Sequence, residues 1–268
     1  MTSPLLSCQH LNWQVADKQI LNNVNFALFR GETVAIVGPN GAGKTSLLKC
    51  LYGEGLYNHG NVALHNIPIK QLSRKQMAKS IAVVDQHHAS VFELTVFDVV
   101  RMGLTPHKGF FENDTDADRT TIQSALSQVG LAKQQAQNFN TLSGGEQQRA
   151  LIARAIVQSA EILILDEPTN HLDMYYQHQV LKLAKSLNIT LLFTIHDLNL
   201  AAEYSDRVVL MNHGKIVADG QPEQVFTPDI LTSVFHLPAL VDLNPFSKKL
   251  RITFAASPLP QKSGGENA

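Results

Sequence analysis

The sequence predicts an α/β fold, and three observations lead to that prediction. Residues 32–51 read as a strand, a glycine-rich turn and a helix. Short continuous apolar runs such as 162–165 suit the strands of a parallel sheet that is buried on both faces. Residues 90–141 change character, because they carry helical patterns and contribute no strand. We therefore expect an α/β core with an inserted helical lobe.

The glycine-rich turn predicts a phosphate-binding P-loop. The segment ETVAIVGPNGAGKTS, residues 32–46, matches strand–GxxxxGK[ST]–helix. Its glycines let successive N–H groups point at one phosphate chain, and the helix directs its positive dipole end at the same anion. In such loops the lysine reaches the β- and γ-phosphates and the Thr hydroxyl ligates Mg²⁺. A chance glycine turn is the alternative, which the flanking strand and helix disfavour. The predicted cradle consists of Gly38, Pro39, Asn40, Gly41, Ala42, Gly43, Lys44, Thr45 and Ser46.

Size and composition limit the classes of function. A chain of 268 residues accommodates one large domain with an inserted lobe. Its formal charge of −1 gives no electrostatic reason to expect nucleic acid or an anionic membrane as partner. Cys8 and Cys50 lie in no metal-ligand spacing, which indicates apolar fillers in a reducing compartment. We expect no signal peptide, and no stretch reaches the roughly 18 apolar residues of a membrane span. Any role at a membrane would then run through a partner.

The first 29 residues predict an antiparallel sheet with one exposed face. Leu5–Val15 and Gln19–Phe29 alternate in part and are joined by a polar turn. Trp13 is either a platform on which adenine stacks or a half-buried strand aromatic. Val15 lies on the same strand face and is the other candidate for the base-contacting position.

Polar residues follow two further predicted strands. Ile81–Val84 ends at Asp85 and Gln86, and Gln86 is either an inconsequential loop residue or a group that reaches Mg²⁺ or the attacking water. Ile162–Leu165 is followed by Asp166 and Glu167. Because ligands collect at the carboxyl ends of parallel strands, Asp166 fits the Walker-B aspartate that holds Mg²⁺, and Glu167 is a candidate for polarising the attacking water. A solvated acidic turn is the alternative.

A third strand, Thr190–Ile195, ends at His196. This histidine either caps the following helix, Leu198–Tyr204, or contacts the γ-phosphate. The chain then continues with two predicted strands, Val208–Met211 and Lys215–Ala218, which form a β-hairpin as residues 60–69 do. Beyond Pro238 the pattern weakens, and residues 262–268 are expected to be a disordered tail.

The helical lobe is followed by a second glycine-containing motif. Thr95 is predicted to cap a helix that carries Val96, Val99, Val100 and Met102. Residues 106–118 are predicted to be a surface loop, and Ile122, Leu126 and Val129 then share one helix face. The motif LSGGEQQR, residues 142–149, precedes another helical run. Ser143, Gly144 and Gly145 form either a second phosphate-binding nest or an N-cap serine with a flexible glycine pair.

Taken together, these motifs resemble the ATPase subunits of ABC transporters over about residues 5–225. They match, in order, the P-loop 38–45, the Q-loop Gln86, the LSGGQ signature 142–149, Walker B 162–168, the D-loop 169–173 and the switch histidine His196. A finer resemblance, to the ATPases of iron-siderophore, haem and vitamin B12 importers, rests on residues 103–107, on residues 172–173 with Gln177, and on residues 196–202. Asp85 departs from the proline that often precedes the Q-loop glutamine, and Glu146 replaces the central glutamine of the signature.

The resemblance implies a P-loop NTPase fold with an ABC ATPase core. It implies one domain over residues 1–240, with an antiparallel β subdomain and a helical subdomain inserted at about 87–142, and an extension and tail over 241–268. It further implies ATP and Mg²⁺, with the metal held by Thr45, Gln86 and Asp166. Catalytic roles fall to Glu167, His196 and Gln86.

The resemblance also implies partners. Two copies would meet head to tail, so that one copy completes the nucleotide site of the other with Ser143, Gly144, Gly145, Glu146 and Asp173. Two transmembrane permease subunits and a periplasmic or surface substrate-binding protein are implied, without nucleic acid, at the cytoplasmic face of the bacterial inner membrane. Phe92 and Phe97 either receive a permease helix or belong to the lobe's own core. A non-transport ABC ATPase and an exporter subunit are the alternative functions.

Overall fold

The structure is a computed structural model that describes residues 3–55, 57–85, 93–109 and 112–256. Within these ranges the strands are β1 (Leu6–Val15), β2 (Lys18–Leu28), β3 (Thr33–Val37), β4 (His59–Leu64), β5 (Ile67–Pro68), β6 (Ile81–Val84), β7 (Ile162–Leu165), β8 (Thr190–Thr194), β9 (Arg207–Asn212), β10 (Lys215–Gly220), β11 (Ala239–Leu243) and β12 (Leu250–Phe254). The α-helices are α1 (Lys44–Leu51), α2 (Arg74–Ser80), α3 (Val96–Arg101), α4 (Asp116–Gln128), α5 (Gly144–Gln158), α6 (Met174–Ser186), α7 (Leu198–Tyr204), α8 (Pro222–Val225) and α9 (Pro228–Phe235).

A six-stranded sheet forms the centre of the fold, in the order β10-β9-β3-β8-β7-β6. Its strands β9, β3, β8, β7 and β6 are parallel, and β10 pairs with β9 in an antiparallel hairpin. Every residue of β3, β7 and β8 is buried, as expected for central strands covered on both faces. The parallel direction brings the residues that follow β3, β6, β7 and β8 to one edge of the sheet.

The predicted antiparallel sheet is confirmed. Strands β2, β1, β4 and β5 form a four-stranded sheet in which β1 pairs antiparallel with both β2 and β4. This sheet and α1 contribute to one apolar cluster against one face of the central sheet. The other face packs in a second cluster with α3, α4 and α5, so the helical lobe shares its core with the sheet.

The helical lobe differs from its prediction at two places. The loop predicted for Pro106–Asp118 ends early, because Thr115 caps α4 and the Asp118 carboxylate completes a capping box. Helix α3 ends at Arg101, and Met102 lies in a 3₁₀ turn. Phe97 packs against the core of the lobe, which favours its structural interpretation, whereas Phe92 lies outside the described residues.

The chain beyond Pro238 also departs from its prediction, because β11 and β12 form an antiparallel hairpin. The Asn199 side chain of α7 holds this hairpin: its Nδ2 donates to the Ile252 carbonyl at 3.2 Å, and its Oδ1 accepts from the Ile252 N–H at 2.7 Å. Residues 262–268 lie outside the described residues. In the part of the chain that the structure describes, no helix is long and apolar enough to cross a membrane.

Both cysteines are buried and form no disulfide, as predicted for apolar fillers. Burial raises the pKa of the Cys8 and Cys50 thiols to about 12, so both side chains are uncharged at neutral pH.

Candidate functional site

The P-loop forms the floor of a cleft of about 280 Å³ at the carboxyl edge of the central sheet. The cleft is lined by Lys18, Gln19, Ile20, Asn40, Gly41, Ala42, Gly43, Lys44, Thr45, Ser46 and Glu167. Gly38 and Pro39 lie at the end of β3, where the loop leaves the sheet. The predicted cradle residues are therefore contiguous in space as well as in sequence.

Two glycines of the loop are required by its backbone. Gly38 has φ of 145°, and a Cβ there would lie 2.1 Å from the Met211 carbonyl oxygen. Gly43 has φ of 102° and is the N-cap of α1, where a Cβ would lie 3.0 Å from the Ile20 carbonyl oxygen. Since L-residues rarely adopt these conformations, the loop keeps this path only with glycine at both positions.

The loop is also anchored from the side by the β9–β10 turn. The Gly214 N–H donates to the Ala42 carbonyl at 3.0 Å, and the Gly214 carbonyl accepts from the Asn22 N–H at 2.8 Å. The P-loop is therefore joined through Gly214 to the antiparallel sheet, which fixes the cradle relative to β2.

The Lys44 side chain folds back onto the backbone carbonyls of the P-loop. Its Nζ donates to the carbonyls of Gly38 at 2.9 Å and Pro39 at 3.2 Å, and the residue is 5% exposed. Burial lowers the pKa of Lys44, and the negative charges of Glu167 and Asp166 oppose that shift. The ammonium group thus lies next to the cleft on a pair of backbone carbonyls that phosphate oxygens can replace.

Asp166 is buried at the end of β7 and accepts two hydroxyl hydrogen bonds. Its Oδ1 accepts from Thr45 Oγ1 at 3.1 Å and from Thr194 Oγ1 at 2.5 Å. Burial raises the pKa of this carboxyl, and the hydrogen bonds from Thr194 and Thr45 oppose the rise. The hydroxyl and carboxylate oxygens that Mg²⁺ prefers therefore meet beside the P-loop, and the donor set fits that metal.

Glu167 has a left-handed backbone with φ of 51°, and its N–H donates to Thr194 Oγ1 at 2.8 Å. Its Oε1 accepts from His196 Nε2 at 2.7 Å, and its Oε2 accepts from Asn170 Nδ2. The Glu167 side chain is 15% exposed and that of His196 is 39% exposed. The structure thus brings the two predicted residues Glu167 and His196 into direct contact at the cleft.

Thr194 and Asn170 are site residues that the sequence reasoning missed. Thr194 is the polar last residue of β8, after the apolar residues 191–193, and it is fully buried. Asn170 follows Glu167 by three residues in the segment matched to the D-loop. A hydroxyl at the carboxyl end of a central strand, two residues before His196, was the available signal for Thr194.

His196 does not cap the helix that follows it, and that alternative is wrong. Asp197 is the N-cap of α7, and its Oδ1 accepts from the N–H groups of Asn199 at 2.8 Å and Leu200 at 3.1 Å. The His196 side chain is therefore left for the Glu167 carboxylate. Gln86 lies outside the described residues.

The signature motif begins helix α5. Ser143 is the N-cap, and its N–H and Oγ donate to Glu146 Oε2 at 2.9 and 2.7 Å. These hydrogen bonds lower the pKa of Glu146. Gly145 is buried, and a Cβ there would lie 2.9 Å from the Tyr176 ring, whereas Ser143 and Gly144 are exposed. Ser143 is thus the N-cap of α5, Gly145 is packed rather than flexible, and the role of residues 143–145 as a phosphate-binding nest stays a prediction.

The remaining predicted positions differ in their surroundings. Trp13 is half-buried, pairs with the fully buried Leu21 and packs in the apolar cluster. Val15 is 54% exposed and pairs with Lys18, which lines the P-loop cleft. Asp173 is exposed and caps α6 through a 3.1 Å hydrogen bond from the Tyr176 N–H. Of the two candidates for adenine contact, Val15 pairs with a residue that lines the cleft, whereas the pairing partner of Trp13 does not line it.

Comparison with known proteins identifies the family. Residues 21–170 match the family model of the ABC transporter domain. The iron(3+)-hydroxamate import ATP-binding protein FhuC of Bacillus subtilis (strain 168) is 36% identical over 248 residues, which cover 91% of this chain and 92% of the relative. The hemin import ATP-binding protein HmuV of Shewanella denitrificans is 36% identical over 244 residues, covering 88% of this chain and 94% of the relative.

Solved structures agree with the family match. A metal-chelate type ABC transporter in an inward-facing conformation has a chain that superimposes with a TM-score of 0.81 at 29% identity, covering 94% of this chain and 97% of that chain. The dimeric bacterial ABC transporter cassette MJ0796 superimposes with a TM-score of 0.73 at 26% identity, covering 81% of this chain and 98% of that chain. The chain therefore belongs to the ABC transporter family, and it is an ATP-binding subunit whose ATP hydrolysis is coupled to transport.

Proposed function

We propose that this subunit works as a head-to-tail homodimer that powers import of an iron complex, haem or a cobalamin through two permease subunits. The observation that carries the proposal is the one-sided nucleotide cleft. The P-loop, residues 18–20 and Glu167 line it, and none of Ser143–Glu146 is among its described lining residues. A triphosphate on this P-loop would leave its γ-phosphate open to bulk water unless a second surface covered it.

The partner copy would supply that surface with its signature helix. Ser143 and Gly144 are exposed at the N-terminus of α5, where the helix dipole favours an anion. The Glu146 carboxylate accepts a hydrogen bond from Ser143, which keeps its charge at the N-terminus of α5. Asp173 is exposed at the start of α6. The dimeric cassette among the structural relatives supports this arrangement.

Within one copy, the triphosphate would replace the Gly38 and Pro39 carbonyls as partner of Lys44. The backbone N–H groups of Asn40–Ser46 would surround the phosphates, and Val15 or Trp13 would contact the adenine. The pairing of Val15 with Lys18 at the cleft supports Val15. Fixed N–H dipoles in a closed site stabilise the charge that develops during phosphoryl transfer.

Mg²⁺ would be held by Thr45, Asp166 and Gln86. Bound Mg²⁺ neutralises charge on the β- and γ-phosphates in enzymes of this type. The buried contact between Thr45 and Asp166 supports the first two ligands, and Gln86 rests on the resemblance alone. If the Thr45 hydroxyl ligated the metal, it would no longer donate to Asp166. Thr194 would then be the donor that orients the Asp166 carboxylate.

Glu167 would polarise the attacking water, and His196 would contact the γ-phosphate. Their 2.7 Å contact supports a shared role, since a histidine that donates to a carboxylate orients it. When His196 turns to the γ-phosphate, Oε1 of Glu167 becomes free to accept a proton from water. ATP binding would thus favour the closed dimer, and hydrolysis would remove the contacts that hold it.

The helical lobe would transmit closure to the permease. A groove of about 830 Å³ lies between α2 and the lobe, and its lining includes Leu94, Met102 and Leu104 together with Arg74 and Asp98. Its mixed apolar and charged lining suits an amphipathic helix from a membrane subunit. We also propose a substrate-binding protein outside the cell and a position at the cytoplasmic face of the inner membrane. Both rest on the resemblance, and the import named for the relatives supports them. No nucleic acid is proposed.

The cargo class is tested by reconstitution. The subunit, the membrane subunits that co-purify with it and their binding protein are placed in proteoliposomes, and ATP turnover is measured with haem, ferric hydroxamate or cobalamin. Stimulation by one of these cargoes supports the proposal, and a complex with the Glu167→Gln subunit is the matched control. Cargo release to the opposite side would indicate an exporter. Purification without any membrane subunit would indicate a non-transport ATPase.

A further inference from the structure

Asn170 contacts Glu167 twice. The Asn170 backbone N–H donates to the Glu167 carbonyl at 3.2 Å, which closes a tight turn over residues 167–170. The same turn brings Asn170 Nδ2 to Oε2 of the Glu167 carboxylate. An ionised carboxylate only accepts hydrogen bonds, so the amide nitrogen must be the group that faces it.

The two oxygens of the Glu167 carboxylate have different partners. His196, at the end of β8, donates to Oε1, whereas Asn170, in the segment 169–173, donates to Oε2. The proposed contact of His196 with the γ-phosphate removes the first of these donors. Asn170 is then the donor that keeps the carboxylate oriented while the histidine changes partner.

The segment that carries Asn170 is itself fixed. Gln177 of α6 donates through Nε2 to the carbonyls of Thr169 at 3.3 Å and Leu172 at 3.1 Å. Asp173 at the end of the segment is the exposed N-cap of α6. Asn170 is half-buried, and its amide nitrogen is directed at the carboxylate of Glu167, which lines the cleft.

We infer that Asn170 is a positioning residue for Glu167, whose side-chain amide orients the carboxylate that polarises water and couples it to the segment 169–173. The inference rests on the proposed role of Glu167. The inference has a consequence for the dimer. A partner copy that presses on the exposed residues of this segment, His171 and Asp173, would act on the carboxylate through Asn170 without touching ATP.

The test compares Asn170→Asp with Asn170→Ala in the complete complex with its membrane subunits at saturating Mg²⁺. Aspartate keeps the shape of asparagine but presents a negative oxygen to Glu167, whereas alanine removes the donor only. We expect alanine to lower kcat about tenfold and aspartate to lower it further, with KM for ATP changed less than about twofold. Asn188→Asp, the same change at an exposed position between α6 and β8, is the control and is expected to keep wild-type kcat.

A role in packing alone predicts the opposite order, because the isosteric aspartate would then be close to wild type and alanine would be worse. That order, or a raised KM at unchanged kcat, overturns the inference. If the alanine variant does not fold, wild-type kcat in the aspartate variant overturns it alone. Absence of ATP turnover in the wild-type complex would instead contradict the proposed function, so the two failures are distinguishable.

Discussion

Thr194 donates a 2.5 Å hydrogen bond to the Asp166 carboxylate from the neighbouring strand of the central sheet. The same hydroxyl oxygen accepts the backbone N–H of Glu167 at 2.8 Å. One buried hydroxyl therefore holds the side chain of the proposed metal ligand and the backbone of the proposed water-polarising residue. Since Glu167 has a left-handed backbone, this contact also helps to keep that conformation.

Thr194→Val is expected to impair both stability and turnover. Valine has the shape of threonine but removes the shorter of the two hydroxyl hydrogen bonds to the Asp166 carboxylate and leaves the Glu167 N–H without its Thr194 acceptor. We expect a loss of about 1–3 kcal/mol in the free energy of unfolding, measured with urea, and a lower kcat for ATP. Thr190→Val is the matched control, because Thr190 lies at the other end of β8 and accepts from the Gly31 N–H at 3.0 Å. The control should lose comparable stability and keep its kcat, and equal loss of kcat in both variants would contradict the assignment.

Gly38→Ala and Gly41→Ala are expected to differ sharply. A Cβ at Gly38 would lie 2.1 Å from the Met211 backbone oxygen, whereas nothing lies within 4 Å of a Cβ at Gly41. Gly41→Ala should cost only the strain of its left-handed backbone, about 1–2 kcal/mol. Gly38→Ala should cost about 3 kcal/mol or more, because backbone must move. Urea denaturation of the two variants measures this, and similar losses would mean that the loop is not held against β9.

Glu146→Gln is expected to show a pH-dependent effect on stability. The folded-state pKa of Glu146 is lowered from its ordinary value of 4.5 by hydrogen bonds from Ser143. Its charge therefore stabilises the fold above pH 4.5, and this contribution disappears as the pH falls through the lower folded-state pKa. Glutamine keeps the capping box without the charge. We expect the variant to be about 0.3–1 kcal/mol less stable at pH 7, with the difference fading below pH 4.5 in urea titrations. A difference that grows toward acid would contradict this cause.

Glu167→Gln is expected to separate nucleotide binding from hydrolysis. Glutamine keeps the size of the side chain, and the backbone N–H of residue 167 keeps its hydrogen bond to Thr194. The glutamine side chain, however, cannot accept a proton from water. ATP affinity, measured with a fluorescent analogue, should stay within a few-fold of wild type, while turnover falls about 10²-fold or more. Near-normal turnover in this variant would remove Glu167 from its proposed role.

The motifs that bind phosphate and metal were predictable because each is a short, contiguous run of residues whose types are set by the group it binds. The P-loop, Asp166, Glu167 and His196 each follow a strand, and the parallel direction of the strands brings them together. Thr194 could not be assigned in the same way, because its partner Asp166 is 28 residues distant and the contact depends on the register between β7 and β8. Strand register is a property of the assembled sheet rather than of either segment.

Two misjudged segments have local causes. The polar residues 116–118 were predicted as loop, yet Thr115 and Asp118 have the spacing of a capping box, and acidic residues favour a first helical turn. In β12 the apolar residues Leu250, Ile252 and Phe254 alternate with polar residues and pack in the core, a period-two signal that is easily missed in a strand of five residues. The attachment of this hairpin to the core adds the contacts of Asn199 with Ile252, which sequence periodicity does not report.

The central claim is that two chains complete each ATP site, and complementation in mixed dimers tests it most directly. All chains carry Glu167→Gln, so that bound ATP is trapped and can be counted. One dimer combines a Lys44→Ala chain with a Ser143→Arg chain, and the other combines a chain carrying both changes with a chain carrying neither. Shared sites predict about one trapped ATP in the first dimer and none in the second. One trapped ATP in the second dimer and none in the first would show that each chain encloses its own nucleotide, and would contradict the account.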